Sequence, residues 1–364
     1  MNPERAGPAA RAAAAATTGA PAAYGRLIRR RAWLVAAAAC ALLVSLTADV
    51  MIGPMQLSPG EVLSALFHPG SADGPVRVTV WTLRLPPAIM AVLIGVALGV
   101  AGTVMQTILN NPLASPFTLG ISAASGFGAA LAIVCGAGSA ALSTASLVSA
   151  SAFVFAMLAA LAIYGVARLR HGGGTAVLVL AGVALHFLFS AGVALLQFVA
   201  RNEDQLRAIV FWLFGNLHGA TWPQLGIIAG VALAALPLIA MHAWRLTALR
   251  LGEGRARALG VDVARLRLGM LALVSLLTAT AICFAGVIGF IGLVAPHLAR
   301  MALGEDQRFQ LPGSALAGAL LLSAASVASK LVVPGPVFPI GIATAFIGVP
   351  FFAAMILGKK RRHW

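Results

Sequence analysis

Residues 244–267 read Trp-Arg-Leu-Thr-Ala-Leu-Arg-Leu-Gly-Glu-Gly-Arg-Ala-Arg-Ala-Leu-Gly-Val-Asp-Val-Ala-Arg-Leu-Arg, and this stretch decides the architecture of the chain. Arg245, Arg250, Arg255, Arg257, Arg265 and Arg267 fall here with Glu253 and Asp262, between two long apolar blocks. So polar a segment cannot lie in hydrocarbon, so it is a loop in water. Its arginine content assigns it to the cytoplasmic side of a membrane. A wet, structured segment between spans is a natural docking site for a soluble partner.

The rest of the chain explains why this loop stands out. Of 364 residues, 60% are hydrophobic and only 10% are charged, and the mean hydropathy is +0.95. A soluble domain carries about 25% charged residues. The apolar residues come in blocks of roughly 20, the length that crosses a bilayer as a helix. The chain is therefore expected to be an all-α integral membrane protein with lipid as its immediate partner. The net charge of +15 sits mostly beside apolar blocks. That is the pattern of topology signals, and no basic stripe with interleaved aromatics suits nucleic acid. Cys40, Cys135 and Cys283 each lie in an apolar block without a Cys-x-x-Cys pair, as small hydrophobes do.

Working outward along the chain gives ten spans. Residues 1–31, rich in Ala, Pro, Gly and Thr, read as a disordered cytoplasmic tail ending at Arg29-Arg30-Arg31. Spans are expected at about 32–52, 86–109, 117–135, 142–166, 176–200, 223–243, 268–287, 289–298, 311–331 and 340–357. The eighth is short, which fits a helix tilted or partly sheltered by protein. Residues 206–217 suit a short interfacial helix with Trp212 and Trp222 near headgroup depth. Gly172-Gly173-Gly174 and Pro334-Gly335-Pro336 read as turns. The ten-span core is then 32–358, its polar loop about 247–267, and 359–364 is a basic tail. With both termini inside, the outer segments hold Arg77, Arg84, Arg201, Arg207 and Lys330, so 20 of the 25 basic residues are inside. Inverting the topology would reverse that excess.

What is missing narrows function further. Every Asp and Glu lies in a loop, a tail or a span end, whereas proton-driven carriers usually keep carboxylates at mid-membrane. There is no Gly-x-x-x-x-Gly-Lys-Ser/Thr loop, so the chain is not itself an ATPase, and no His-Glu-x-x-His set marks a metalloenzyme. No catalytic residue, resident metal or cofactor is expected. A self-contained channel or secondary carrier is the competing class, for which His186 is the one intramembrane ionisable candidate.

Four sets of residues resemble the FecCD-type permeases, the membrane subunits of ABC importers for iron complexes, haem and cobalamin. They are Arg84-Leu85-Pro86 with a Gly-rich span ending in Gln106; Asn111-Pro112-Leu113-Ala114 through Gly120; Leu259-Gly260-Val261 with Gly286-Val287-Ile288-Gly289-Phe290-Ile291-Gly292-Leu293 and Pro296-His297-Leu298-Ala299-Arg300; and Pro339-Ile340-Gly341-Ile342-Ala343-Thr344-Ala345 with Ile347-Gly348-Val349-Pro350-Phe351-Phe352. The resemblance spans about 76–357. It implies a ten-helix bundle of the type II ABC importer permease type in the bacterial inner membrane, paired with a second copy or a sister permease. It also implies two copies of an ABC ATPase subunit below and a periplasmic substrate-binding protein above. The favoured cargo is an iron(III)-siderophore-type complex, with haem and cobalamin as alternatives.

The resemblance also implies residue roles. Glu253, Arg255, Arg257, Leu259 and Gly260 fall in the loop that couples to the ATPase. Arg84 and Lys330 fall at outer basic positions that dock the binding protein. Gln106, His186 and Gln197 are pore candidates, and His297 is expected to cap a helix end. The chain departs from the family pattern at Pro87 (a second Arg), Gly254 (an acid), Ser326 (an Asp) and Val337 (a Glu). Without the last two acids, the usual polar interaction at the outer end is not expected to form.

Overall fold

A computed structural model describes residues 8–70, 72–136, 144–169, 175–332 and 338–357. The side chains of 8–24, 27, 355 and 356 lie outside that description, as do the expected turns at 172–174 and 334–336, Val337 and the basic tail.

Among the described residues the chain is helical, with no strand. Seven stretches are long and apolar enough to cross a membrane. The first is Ile28–Met51, within α1 (Pro8–Met51). The second, Gly74–Ile108, joins α3 (Gly74–Val78), a π-helical segment (Thr79–Arg84) and α4 (Leu85–Ile108). The others are α6 (Thr144–Leu169), α7 (Thr175–Phe198), α9 (Trp222–Met241), α12 (Val263–Ala285) and α14 (Gln307–Val332). Three shorter apolar helices, α5 (Ile121–Cys135), α13 (Ile291–Leu303) and α15 (Ile340–Leu357), fill the remaining expected spans. The connections carry α2 (Pro59–Phe67), α8 (Glu203–Leu213), α10 (Ala243–Arg250) and α11 (Glu253–Ala258). α1 already begins at Pro8, inside the stretch whose composition reads as a tail. That stretch is Ala-rich, and alanine enters a helix at least cost.

The core is built around α4. Its span is 78% buried and α12 is 67% buried, whereas Ile28–Met51 is 11% and α7 is 17% buried. Glycine makes this centre possible. A Cβ at Gly95 or Gly99 would overlap the backbone of Gly318 or Ser314 on α14, and one at Gly102 would overlap the backbone of Gly292 on α13. Helices in lipid associate through such close approach, since apolar side chains gain little by leaving hydrocarbon. Thr103 adds a hydrogen bond to Ser314 Oγ at 2.6 Å.

The expected short eighth span has a physical cause. Residues 286–290 between α12 and α13 are not helical, with positive φ at Gly286 (71°) and Phe290 (66°). Backbone on either side supplies partners there: Gly286 N donates to Ile282 O at 2.8 Å, Ile291 N to Gly289 O at 2.8 Å and Val294 N to Phe290 O at 2.8 Å, while Asn216 N takes up the adjoining Ala285 O at 2.8 Å. Irregular backbone survives in a membrane protein only where protein satisfies it.

The bundle has two chemically different ends. One gathers α10, α11 and the adjoining ends of α4, α12, α13 and α14, and is rich in arginine. The opposite end gathers the last turn of α1, α2, the start of α4, the end of α14 and the α8–α9 connection.

Candidate functional site

At the arginine-rich end, α10 and α11 form a folded platform. Gly252 (φ 102°) and Gly260 (φ 80°) turn the chain on either side of α11 in conformations few other residues adopt. Asp262 then caps α12 by accepting from Arg265 N at 3.0 Å. Of the residues expected to meet a partner, Arg255, Arg257, Leu259 and Gly260 are exposed. The Leu259 and Leu251 side chains are large exposed hydrophobics on a charged surface, a mixture suited to protein docking.

Glu253 is different. One of its carboxylate oxygens takes Arg257 Nη2 at 2.9 Å, and the other takes the buried Arg267 Nη2 at 2.6 Å. The hydrogen bond from Arg267 holds its pKa below the usual carboxylate value, against the effect of partial burial. Arg267 Nε also donates to Ile108 O, in the last turn of α4, at 3.0 Å. On α14, Gln307 N donates to Thr247 Oγ1 of α10 at 3.0 Å, and Gln307 Nε2 donates to Thr107 Oγ1 of α4 at 3.2 Å. Arg250 pairs with Glu305 at 3.0 Å. The platform is thus fastened to three helices. Nothing in the sequence marks Thr247, Arg267 and Gln307 as ties, because their partners lie on other helices.

The opposite end corrects two expectations. Arg84 does not face outward. It is 4% exposed, and its guanidinium donates to the carbonyls of Val50 (3.1 Å), Met51 (2.7 Å) and Met55. The last carbonyls of α1 lack intrahelical donors, and a planar cation supplies several at once. Lys330 also points inward, pairing with the fully buried Asp49 at 2.8 Å and donating to Asp49 O at 2.6 Å. Ser326 Oγ donates to Asp49 Oδ1 at 2.9 Å. A polar cluster therefore does form at this end despite Ser326. Its carboxylate comes from α1 instead of α14. Half-buried His218 lies nearby, and its pKa is lowered by desolvation first and by the charge of Lys330 second.

The pore candidates separate. Gln106 is 1% exposed and accepts a hydrogen bond from Arg300 Nη2 of α13, which ties α4 to α13 within this chain. His186 is exposed on α7, and Gln197 is partly buried on the same helix. His297 sits within α13, with its ring 5.7 Å from that of Phe351, and does not cap an end. Beside the last turn of α4 is a cleft of about 520 Å³ lined by Leu109, Asn110, Asn111, Thr175, Val179 and Leu180. No cluster of three or more metal-ligating side chains occurs among the described residues.

Comparison with known proteins places this architecture. The model of the FecCD transport family matches residues 41–358. The chain is 38% identical over 286 residues to the hemin transport system permease protein HmuU of Yersinia pestis, covering 78% of this chain and 85% of that protein. It is 35% identical over 288 residues to the cobalamin import system permease protein BtuC of Halobacterium salinarum, covering 79% and 75%. Among solved structures, an inward-facing conformation of an ABC transporter assigned to the metal-chelate type matches with a TM-score of 0.78 at 30% identity, covering 89% of this chain and 98% of that one.

Proposed function

Because the chain belongs to the FecCD transport family, we propose that it is the permease subunit of an ATP-driven importer and forms the translocation path for an iron(III)-siderophore-type complex. The observation that carries this reading is the folded, exposed platform at the arginine-rich end, on a chain with no phosphate-binding loop of its own. A power source must then attach from outside the chain. Two copies of an ABC ATPase subunit would dock on Arg255, Arg257, Leu259 and Gly260, with Glu253 bracing the platform from behind. The arginine-rich end would face the cytoplasm, with both termini, and the opposite end would face the periplasm of a bacterial inner membrane. A second copy or a sister permease would pair across the poorly buried α7.

A binding protein would dock at the opposite end. With Arg84 and Lys330 turned inward, Arg77 and Arg201 are exposed cations there for a partner's carboxylates. Such exposed charges steer docking more than they hold it. Haem or cobalamin is the second reading, supported by the named activities of the relatives. His186, exposed on α7, could meet haem iron.

The test is co-expression with the ATPase and binding protein of the same system. Deleting residues 253–259 is expected to abolish ATPase co-purification while leaving membrane insertion intact; retained association would refute the docking role. Uptake of labelled ferric siderophore, haem and cobalamin into vesicles then identifies the cargo. Preferred uptake of haem, lost in His186→Ala, would replace the siderophore reading.

A further inference from the structure

The two polar connections from the platform share a destination. One runs from Glu253 of α11 through Arg267 to Ile108 O, and the other from Thr247 of α10 through Gln307 to Thr107 Oγ1. Both end on adjacent residues in the last turn of α4. The sequence explains why Ile108 needs this help. Its helical acceptor role would fall to the amide four residues on, which is Pro112 and has no N–H. Arg267 Nε supplies the missing donor. The Arg267 side chain is 5% exposed, and its rigid plane bonds Glu253 through Nη2 and Ile108 O through Nε. A displacement at one partner is therefore passed through the plane to the other. Arg300 of α13 holds Gln106 in the same turn. Directly after that turn come Leu109, Asn110 and Asn111, which wall the cleft against α7.

We propose that Arg267 and Gln307 are positioning residues. They carry a displacement of the α10–α11 platform to the last turn of α4, and so to the Leu109–Asn111 wall of the cleft. This rests on the reading of the chain as an ATP-driven permease. Neither residue meets the cargo or the ATPase. Their effect is on the conversion of nucleotide hydrolysis into opening of that wall.

The test uses the complete transporter in proteoliposomes with its ATPase and binding protein. Arg267→Lys keeps a cation beside Glu253 but cannot donate to both partners in one plane. Thr247→Val keeps the shape of the side chain and removes the acceptor for Gln307 N. The readout is cargo transported per ATP hydrolysed, a ratio that simple loss of folded protein does not move. Each variant is expected to keep its ATPase on co-purification and to lower that ratio by about fivefold or more. A wild-type ratio in both variants overturns the relay, and so does loss of the ATPase from both, which would make these residues part of the docking surface. If Arg267→Lys does not assemble, the ratio in Thr247→Val decides. A wild-type chain that binds no ATPase overturns the functional reading itself, and the relay with it.

Discussion

Asp49 and Lys330 are 281 residues apart in sequence and 2.8 Å apart in the fold. The side chain of Asp49 is fully buried and that of Lys330 is 8% exposed. A pair this sheltered is weak evidence of stability as a pair, because both charges leave water to form it. Removing one partner is another matter. Asp49→Asn leaves an ammonium inside the protein, and the expected loss is about 3 kcal/mol in detergent unfolding. Adding Lys330→Met should restore most of it. If the double variant is as unstable as Asp49→Asn alone, the pair is not what the carboxylate is for. Arg84 follows the same reasoning with carbonyls for partners. A lysine there offers one point donor where the guanidinium reaches three backbone oxygens, so Arg84→Lys should loosen the end of α1, detectable as faster amide exchange near Val50 and Met51.

Helix α4 is central because its glycines let α13 and α14 approach backbone to backbone. A methyl group at Gly102 would overlap the backbone of Gly292, which cannot move aside without shifting α13. Gly102→Ala is expected to cost about 1–3 kcal/mol, the usual penalty of overpacking, and to lower the thermal midpoint in detergent. Gly230 on α9 is the control. Nothing lies within 4 Å of a Cβ built there, so Gly230→Ala should leave the midpoint unchanged or raise it. Equal losses at both sites would mean that glycine matters here for flexibility and not for contact. The same elements show where regular helix gives way: Pro112 withdraws a donor from the end of α4, and Gly286 and Phe290 break the chain before α13.

For the whole molecule, the apolar helices among the described residues are legible in the sequence because lipid imposes a length and water collects the charge. Arginines at 244–267 and apolar blocks of fixed size needed no tertiary information. The direction of individual charges was not legible. Arg84 and Lys330 sit at the expected end, but whether each turns out or in depends on α1, whose Val50 carbonyl and Asp49 lie far off in sequence. The partner of Gln106 is hidden from the sequence for the same reason, since Arg300 reaches it from 194 residues away. Folding therefore ties ionisation at both ends to global stability, and acid should reveal two steps. His218 has its pKa lowered from 6.5 by burial and by Lys330. Below about 6.5 the unfolded chain then binds the proton and the folded one resists it, so stability falls as pH falls. Glu253 has its pKa lowered from 4.5, first by the hydrogen bond from Arg267. The stability it contributes is present above about 4.5 and is lost as the pH drops through the lower folded value. A thermal midpoint followed from pH 7.5 to pH 3.5 should decline first below about 6.5 and again below about 4.5. His218→Gln should flatten the first decline and Glu253→Gln should shrink the second, each leaving the other in place. A single step below pH 4.5 in the wild type would mean that His218 takes up its proton as easily in the folded protein as in the unfolded chain.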